Sequence, residues 1–173
     1  DFGVPQNRER VFAISIREDV GKDFFFHTLE RSMGYIGDFL EDSVINYQGD
    51  FKIDEKIRPG CREIFERDKD LIINADKNKK MFKCECTSGF QDNVVGLRCI
   101  PTIRHQNTHT VVYYNNQIHK ITSLEAWRLT GIRDEDYKKA KEVCPSDNIL
   151  IGLVGNAIVV NVMVALFKGL FED

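Results

Sequence analysis

Charge of one sign is the first thing this chain lacks: 24 Lys and Arg against 27 Asp and Glu leave a formal net charge of −3 over 173 residues. That balance does not mark the whole molecule as a nucleic-acid binder. No secretory leader is visible, and the five cysteines are odd in number. We therefore expect no disulfide framework, and reduced thiols in a cytoplasmic protein. Cys84-x-Cys86, with Cys61 and Cys99 elsewhere, lacks a second closely spaced pair, so no structural zinc or other metal is expected. Internal repeats and low-complexity segments are absent, which excludes solenoid architectures. The opening Asp1-Phe2-Gly3 has no glycine-rich loop, His-Arg-Asp or Ala-Pro-Glu beside it, which excludes a kinase. An initiator Met is missing too, and the chain starts inside a motif, so it reads as a piece of something larger.

What is present is globular in character, with 42% hydrophobic and 29% charged residues, enough for one domain or one domain plus fragments of another. The charge is unevenly spread. Residues 18–58 are acidic, whereas residues 98–133 carry Arg98, Arg104, Lys120, Arg128 and Arg133 against Glu125 alone, together with His105, His109 and His119. A local basic patch of this kind is compatible either with a polyanion or with a solvated face. Residues 149–167 hold no charge and reach the length of a membrane span. Gly152, Gly155, Asn156 and Asn161 interrupt that run and no basic cluster flanks it, so a buried helix preceded by a turn is expected and no membrane contact.

Gln6-x-Arg8-x-Arg10 follows a Gly-Pro turn and leads into an apolar stretch, so residues 10–17 read as a strand. Positions that alternate by two share one face of an extended backbone, and one amide with two guanidiniums would form a fork of donors for phosphate oxygens or a base edge. Phe24-Phe25-Phe26 reads as core, Ile36 to Val44 as a short helix, and residues 45–80 as short strands and loops with an exposed turn at 76–80. Val94-Val95-Gly96-Leu97 and Thr110 to Tyr114 are strand-like, and Asn115-Asn116 marks a hairpin turn. Thr122-Ser123-Leu124-Glu125 spells a capping box, Gly131 should end that helix, Asp134 should start another running to about Val143, and Ala157 to Phe171 is apolar on almost every face.

The stretch Asp1 to Arg10 resembles the eighth sequence block of the DNA cytosine-5 methyltransferase family. His119-Lys120-Ile121-Thr122-Ser123-Leu124-Glu125-Ala126-Trp127-Arg128-Leu129-Thr130-Gly131-Ile132 resembles its ninth block, and Gly155-Asn156-Ala157-Ile158-Val159-Val160-Asn161-Val162 its tenth. The intervening stretch falls where that family keeps its target-recognition region. The resemblance implies base flipping, attack of a cysteine thiolate on C6, and methyl transfer from S-adenosyl-L-methionine to C5. It implies that Arg10 holds the flipped base at O2, and that Arg8 and Gln6 hold the adjacent phosphate or order the catalytic loop. It also implies that Asn156 and Ala157 lie at the cofactor's amino-acid end. Base readout in such enzymes uses a Thr followed by an aliphatic residue; Pro101-Thr102-Ile103 fits best, with Arg104, Gln106, Asn107 and Thr108 as candidate DNA contacts. Three departures stand out: Ile151 to Val154 replace an expected Tyr, basic residue and Gln; His119 stands where an Arg is common; and Leu124 stands where an Arg often sits.

Nowhere in this sequence is there a Pro-Cys-Gln nucleophile loop or a Phe-x-Gly-x-Gly cofactor loop, and Asp92-Asn93-Val94 carries the wrong carboxylate for the Glu-Asn-Val block. The expected role is the DNA-recognition and C-terminal portion of such an enzyme, inactive alone, with S-adenosyl-L-methionine engaged only beside an N-terminal methyltransferase portion or subunit. Double-stranded DNA is the expected partner. The alternatives are a stand-alone DNA-binding or regulatory module derived from such an enzyme, or a tRNA-directed family member. The expected fold is α+β. Residues 1–17 form an end piece of the catalytic domain, 18–145 a small strand-rich recognition domain, and 146–173 a turn and helix of an incomplete α/β methyltransferase domain. An uncovered apolar face on that helix should drive self-association.

Overall fold

The computed structural model describes residues 2–21, 23–25, 34–74, 81–84, 94–97, 99–103 and 110–171. Among these, the helices in chain order are α1 (Asp42–Ile45), α2 (Pro59–Arg67), α3 (Lys69–Asn74), α4 (Ser123–Arg128), α5 (Asp134–Val143), α6 (Asp147–Asn156) and α7 (Val160–Phe171). The strands are β1 (Lys52–Ile53), β2 (Met81–Cys84), β3 (Val94–Leu97), β4 (Thr110–Tyr114) and β5 (Gln117–Lys120), arranged in one sheet in the order β1-β5-β4-β2-β3. All pairs are antiparallel except β1 on β5. The protein is thus a mixed α and β chain.

The β4–β5 hairpin organises the rest. Asn115 and Asn116 take φ of 46° and 62°, the positive values that a two-residue turn matching strand twist requires. Four of the five β4 residues are buried because the sheet is covered on both faces. Val111, Tyr113 and Ile118 face one core with Cys61, Ile64 and Phe65 of α2 and Ile72 of α3. Val112 faces a second core with Ile36, Leu40, Val44, Ile100 and Ile103, Ala126, Trp127 and Leu129, and Leu150, Ile151 and Val154 of α6.

Several sequence expectations hold. Thr122 accepts from the Glu125 amide while the Glu125 carboxylate accepts from the Thr122 amide, a complete capping box. Gly131 closes the turn after α4 with φ of 81°, and α5 runs over Asp134–Val143 as expected. Others are corrected. Residues 45–74 hold two helices rather than only short strands and loops: Pro59 supplies the pre-set φ of a first helical residue, and Cys61, Ile64 and Phe65 fall on one buried side. Among the described residues of 18–145, strands of two to five residues lie beside five helices. Ile36–Phe39 is a 3-10 turn separated from α1 by Leu40, whose φ of −87° and ψ of 160° are extended. Phe25 is exposed and Phe24 half-buried, so the aromatic run is not wholly core; Phe26, like the turn at 76–80, lies outside the described residues.

Residues 10–17 form no strand. They pair with nothing in the sheet, and Val11 is 98% exposed. The apolar C-terminal run is two helices rather than a turn and one helix, parted at Ala157, whose φ of −74° and ψ of 167° are extended. Gly152 and Gly155 did not stop α6 because they sit in the packed interior beside α4, whereas Asn156 is the last residue of α6 and Asn161 lies in α7. On α7, Ala165, Leu166 and Gly169 are buried, and a Cβ at Gly169 would collide with the Phe25 carbonyl. Val160, Val164, Phe167 and Phe171 form an exposed stripe with helical spacing.

Candidate functional site

Residues 4–8 run as a rail through the place where the two C-terminal motifs meet. Backbone bonds fix it to the 99–103 segment: the Ile100 amide donates to the Pro5 carbonyl and the Asn7 amide to the Ile100 carbonyl, at 2.8 and 2.9 Å. The Thr102 hydroxyl donates to the Asn7 carbonyl at 3.1 Å. Gln6 Nε2 donates to the Leu129 carbonyl at 3.4 Å, just past α4. Arg8 Nη2 donates to the Gly155 carbonyl at 2.9 Å and Arg8 Nη1 to the Ile103 carbonyl at 3.4 Å. Just before the rail, Asn161 Nδ2 donates to the Phe2 carbonyl at 2.6 Å, and the Val160 amide donates to the Thr130 carbonyl at 3.0 Å. Three motifs, the first more than a hundred residues from the other two in sequence, thus share one hydrogen-bonded junction.

The triplet does not act as a single fork. Gln6 and Arg8 turn inward and are half-buried, whereas Arg10 is exposed and donates locally, to the Glu9 carbonyl at 2.6 Å. The reason is that the chain stops being held after Asn7 and Arg8, so alternation has no sheet to maintain it. Burial first, and the Arg10 charge second, hold the Arg8 guanidinium below its ordinary value. Gln6 Oε1 and Arg8 Nε are buried without a partner among the described residues.

Asn156 is exposed at the end of α6, and Ala157 beside it is half-buried. An exposed amide next to a small residue suits hydrogen bonding to the amino-acid end of a cofactor and allows close approach, so these two positions fit the group the resemblance implies. Thr102 lies at the rail, while Arg104, Gln106, Asn107 and Thr108 lie outside the described residues. Thr102 is tied to the junction by its own hydroxyl and Asn156 through its neighbour Gly155, whereas Arg10 lies two residues beyond Arg8 and donates locally.

Beneath the junction sits a buried charge that sequence reasoning saw only as half of a capping box. The Glu125 residue is 0% exposed. Its carboxylate accepts from the Thr122 amide at 2.9 Å and the Glu41 amide at 3.1 Å, and lies 2.9 Å from His119 Nε2. His119 thus occupies its departure from the family pattern as a core partner of Glu125. Next to it, Arg128 grips Asp134 with two donors at 2.9 and 2.6 Å and donates a third to the Leu40 carbonyl at 2.8 Å. The bond from Arg128 holds the Asp134 carboxyl below the usual carboxylate range, and the same bond raises Arg128. Asp147 is likewise held low, by Lys141 first and by the Ser123 hydroxyl second.

The rail of residues 4–8 is locked through Gln6 to the end of α4 and through Arg8 to the end of α6. Residues 1–172 match the C-5 cytosine-specific DNA methylase family, and the chain belongs to that family. Over its full length it is 30% identical, across 177 aligned positions, to the type II methyltransferase M2.ScrFI of Lactococcus lactis subsp. cremoris, and covers 43% of that protein. A 60-residue stretch is 41% identical to the orphan methyltransferase M.Rho11sI of Bacillus phage rho11s, covering 35% of this chain and 12% of the relative. An 83-residue stretch is 32% identical to the orphan methyltransferase M.SPBetaI of Bacillus phage SPbeta, covering 48% and 19%. The chain spans less than half the length of these relatives.

Proposed function

We propose that this chain is the DNA-recognising, C-terminal portion of a cytosine-5 methyltransferase, working beside an N-terminal portion that carries the nucleophilic cysteine. The observation that carries the reading is the convergence of Gln6 and Arg8 with Leu129 and Gly155, which brings the three family blocks to one junction. Arg10 projects from that junction with its guanidinium exposed, able to donate to O2 of an extruded cytosine. Charge that develops on the ring as a thiolate adds at C6 would be stabilised by those donors. Asn156 and Ala157 would hold S-adenosyl-L-methionine, which supplies the electrophilic methyl when bound. Thr102, with Arg104, Asn107 and Thr108, would face the duplex. The exposed α7 stripe would dock on the N-terminal portion, since Val160, Val164, Phe167 and Phe171 present an apolar face that these residues leave uncovered.

Methyl transfer from radiolabelled S-adenosyl-L-methionine tests this. Label should enter duplex DNA, and not tRNA, when an N-terminal portion is mixed with this chain, and neither piece alone should be active. Arg10→Ala should lower the rate of the reconstituted enzyme by roughly a hundredfold to a thousandfold, the scale of losing a charge-stabilising donor. Activity of this chain alone, or preferential labelling of tRNA, would overturn the proposal.

A further inference from the structure

We propose that Arg8 is a positioning residue that couples the DNA-reading segment at 99–103 to the corner at Gly155–Asn156. The inference rests on the function proposed above and assigns to Arg8 a role other than contact with base or phosphate. Its two terminal nitrogens donate to carbonyls on different segments, 95 and 147 residues away in sequence. The Gly155 carbonyl belongs to the last turn of α6, where the final carbonyls have no partner within the helix. A guanidinium there satisfies a buried acceptor and complements the negative end of the helix dipole. The Ile103 carbonyl belongs to a fully buried residue next to Thr102, whose hydroxyl holds the Asn7 carbonyl beside Arg8.

A rigid planar group bonded on both sides transmits displacement. If duplex DNA shifts Thr102 and Ile103, the guanidinium must tilt, and the carbonyl one residue before Asn156 moves or loses its donor. Lysine can place a single point charge near one carbonyl but cannot bridge two. Arg8 is therefore the link through which occupancy of the DNA face and order at Asn156 and Ala157 inform each other, and linkage makes that exchange reciprocal.

Calorimetry on the full chain joined with its N-terminal portion tests this, using S-adenosylhomocysteine and long unmethylated duplex DNA of mixed sequence as probes. In the wild type, saturating DNA should tighten S-adenosylhomocysteine by about fivefold or more, within the usual range of allosteric coupling. In Arg8→Met that ratio should fall to about one, with S-adenosylhomocysteine alone bound within roughly threefold of wild type. Arg8→Lys, which keeps the charge and protects the fold, should bind each probe and show the same lost coupling. Undiminished coupling in Arg8→Lys, or no coupling in the wild type, overturns the assignment while leaving the proposed function standing. Failure of the wild type to bind either probe overturns both.

Discussion

Glu125 shows how one side chain can hold together pieces that share no sequence neighbourhood. A carboxylate with no exposed surface needs full compensation, and it has three donors, from α4's own cap, from Glu41 and from His119. Glu125→Ala should cost about 3 kcal/mol, because it leaves two backbone amides and a buried imidazole without their acceptor. Urea unfolding measures this, and a loss below about 1 kcal/mol would show that the network is dispensable. The neighbouring acids set a pH dependence. Asp134 and Asp147 sit below their ordinary value in the folded chain, so the unfolded chain takes up protons first as pH falls. Their contribution is present above the unfolded carboxyl value near 4 and is lost as pH drops through the lower folded values. The urea midpoint should therefore decline as the pH falls below about 4, and Asp134→Asn should decline less steeply. Parallel curves for the two proteins would argue against the Arg128–Asp134 pair as a source.

At the scale of elements, the hairpin is the piece whose local chemistry decides most. Asn115 holds a positive φ and also donates its side-chain amide to the Ile45 carbonyl, joining α1 to the sheet. Asn115→Ala should cost about 1–2 kcal/mol, combining the left-handed penalty with a lost hydrogen bond. Thermal unfolding checks this, and an unchanged midpoint would count against both causes.

This turn was legible in the sequence because its signal is local, and so were the capping box at Thr122–Glu125, the helix from Asp134 and the apolar final helix. Helices α2 and α3 were less so: their dense charge hid the spacing of Cys61, Ile64 and Phe65, although Pro59 at the first helical position was a readable start. Residues 10–17 carry an apolar run that reads as a strand, yet a strand exists only where another strand accepts its bonds, and no pattern within the segment supplies that partner. The same holds for the site. The residue types of Gln6, Arg8 and Arg10 were legible; that two of them turn inward depends on carbonyls at Ile103, Leu129 and Gly155, which only the tertiary fold brings near.

For the whole molecule, the open requirement is cover for the face of α7 that the described residues leave exposed. The rings of Phe167 and Phe171 stack with centroids 6.1 Å apart on the outer face, 50% and 73% exposed. This chain alone should pair with its own copies through that face at micromolar concentration, and an N-terminal portion should displace them. Phe167→Asp should leave the unfolding free energy within about 0.5 kcal/mol, as for surface changes generally, yet abolish both associations. Light scattering decides it: a wild-type chain that is monomeric alone and still binds an N-terminal portion through another face would refute the account.

Arg8 meets Gly155 across 147 residues of chain. At a ribosomal rate of about 5–20 residues per second, roughly seven to thirty seconds separate the synthesis of the two. During that interval Arg8 lacks its Gly155 acceptor, although the Ile100 and Ile103 carbonyls that the rail also uses are made earlier. A growing chain of this protein therefore cannot fully lock its rail until the end of α6 is made. Slow translation, or a stop introduced before Gly155, should send it to chaperones or aggregates rather than to a partly working product.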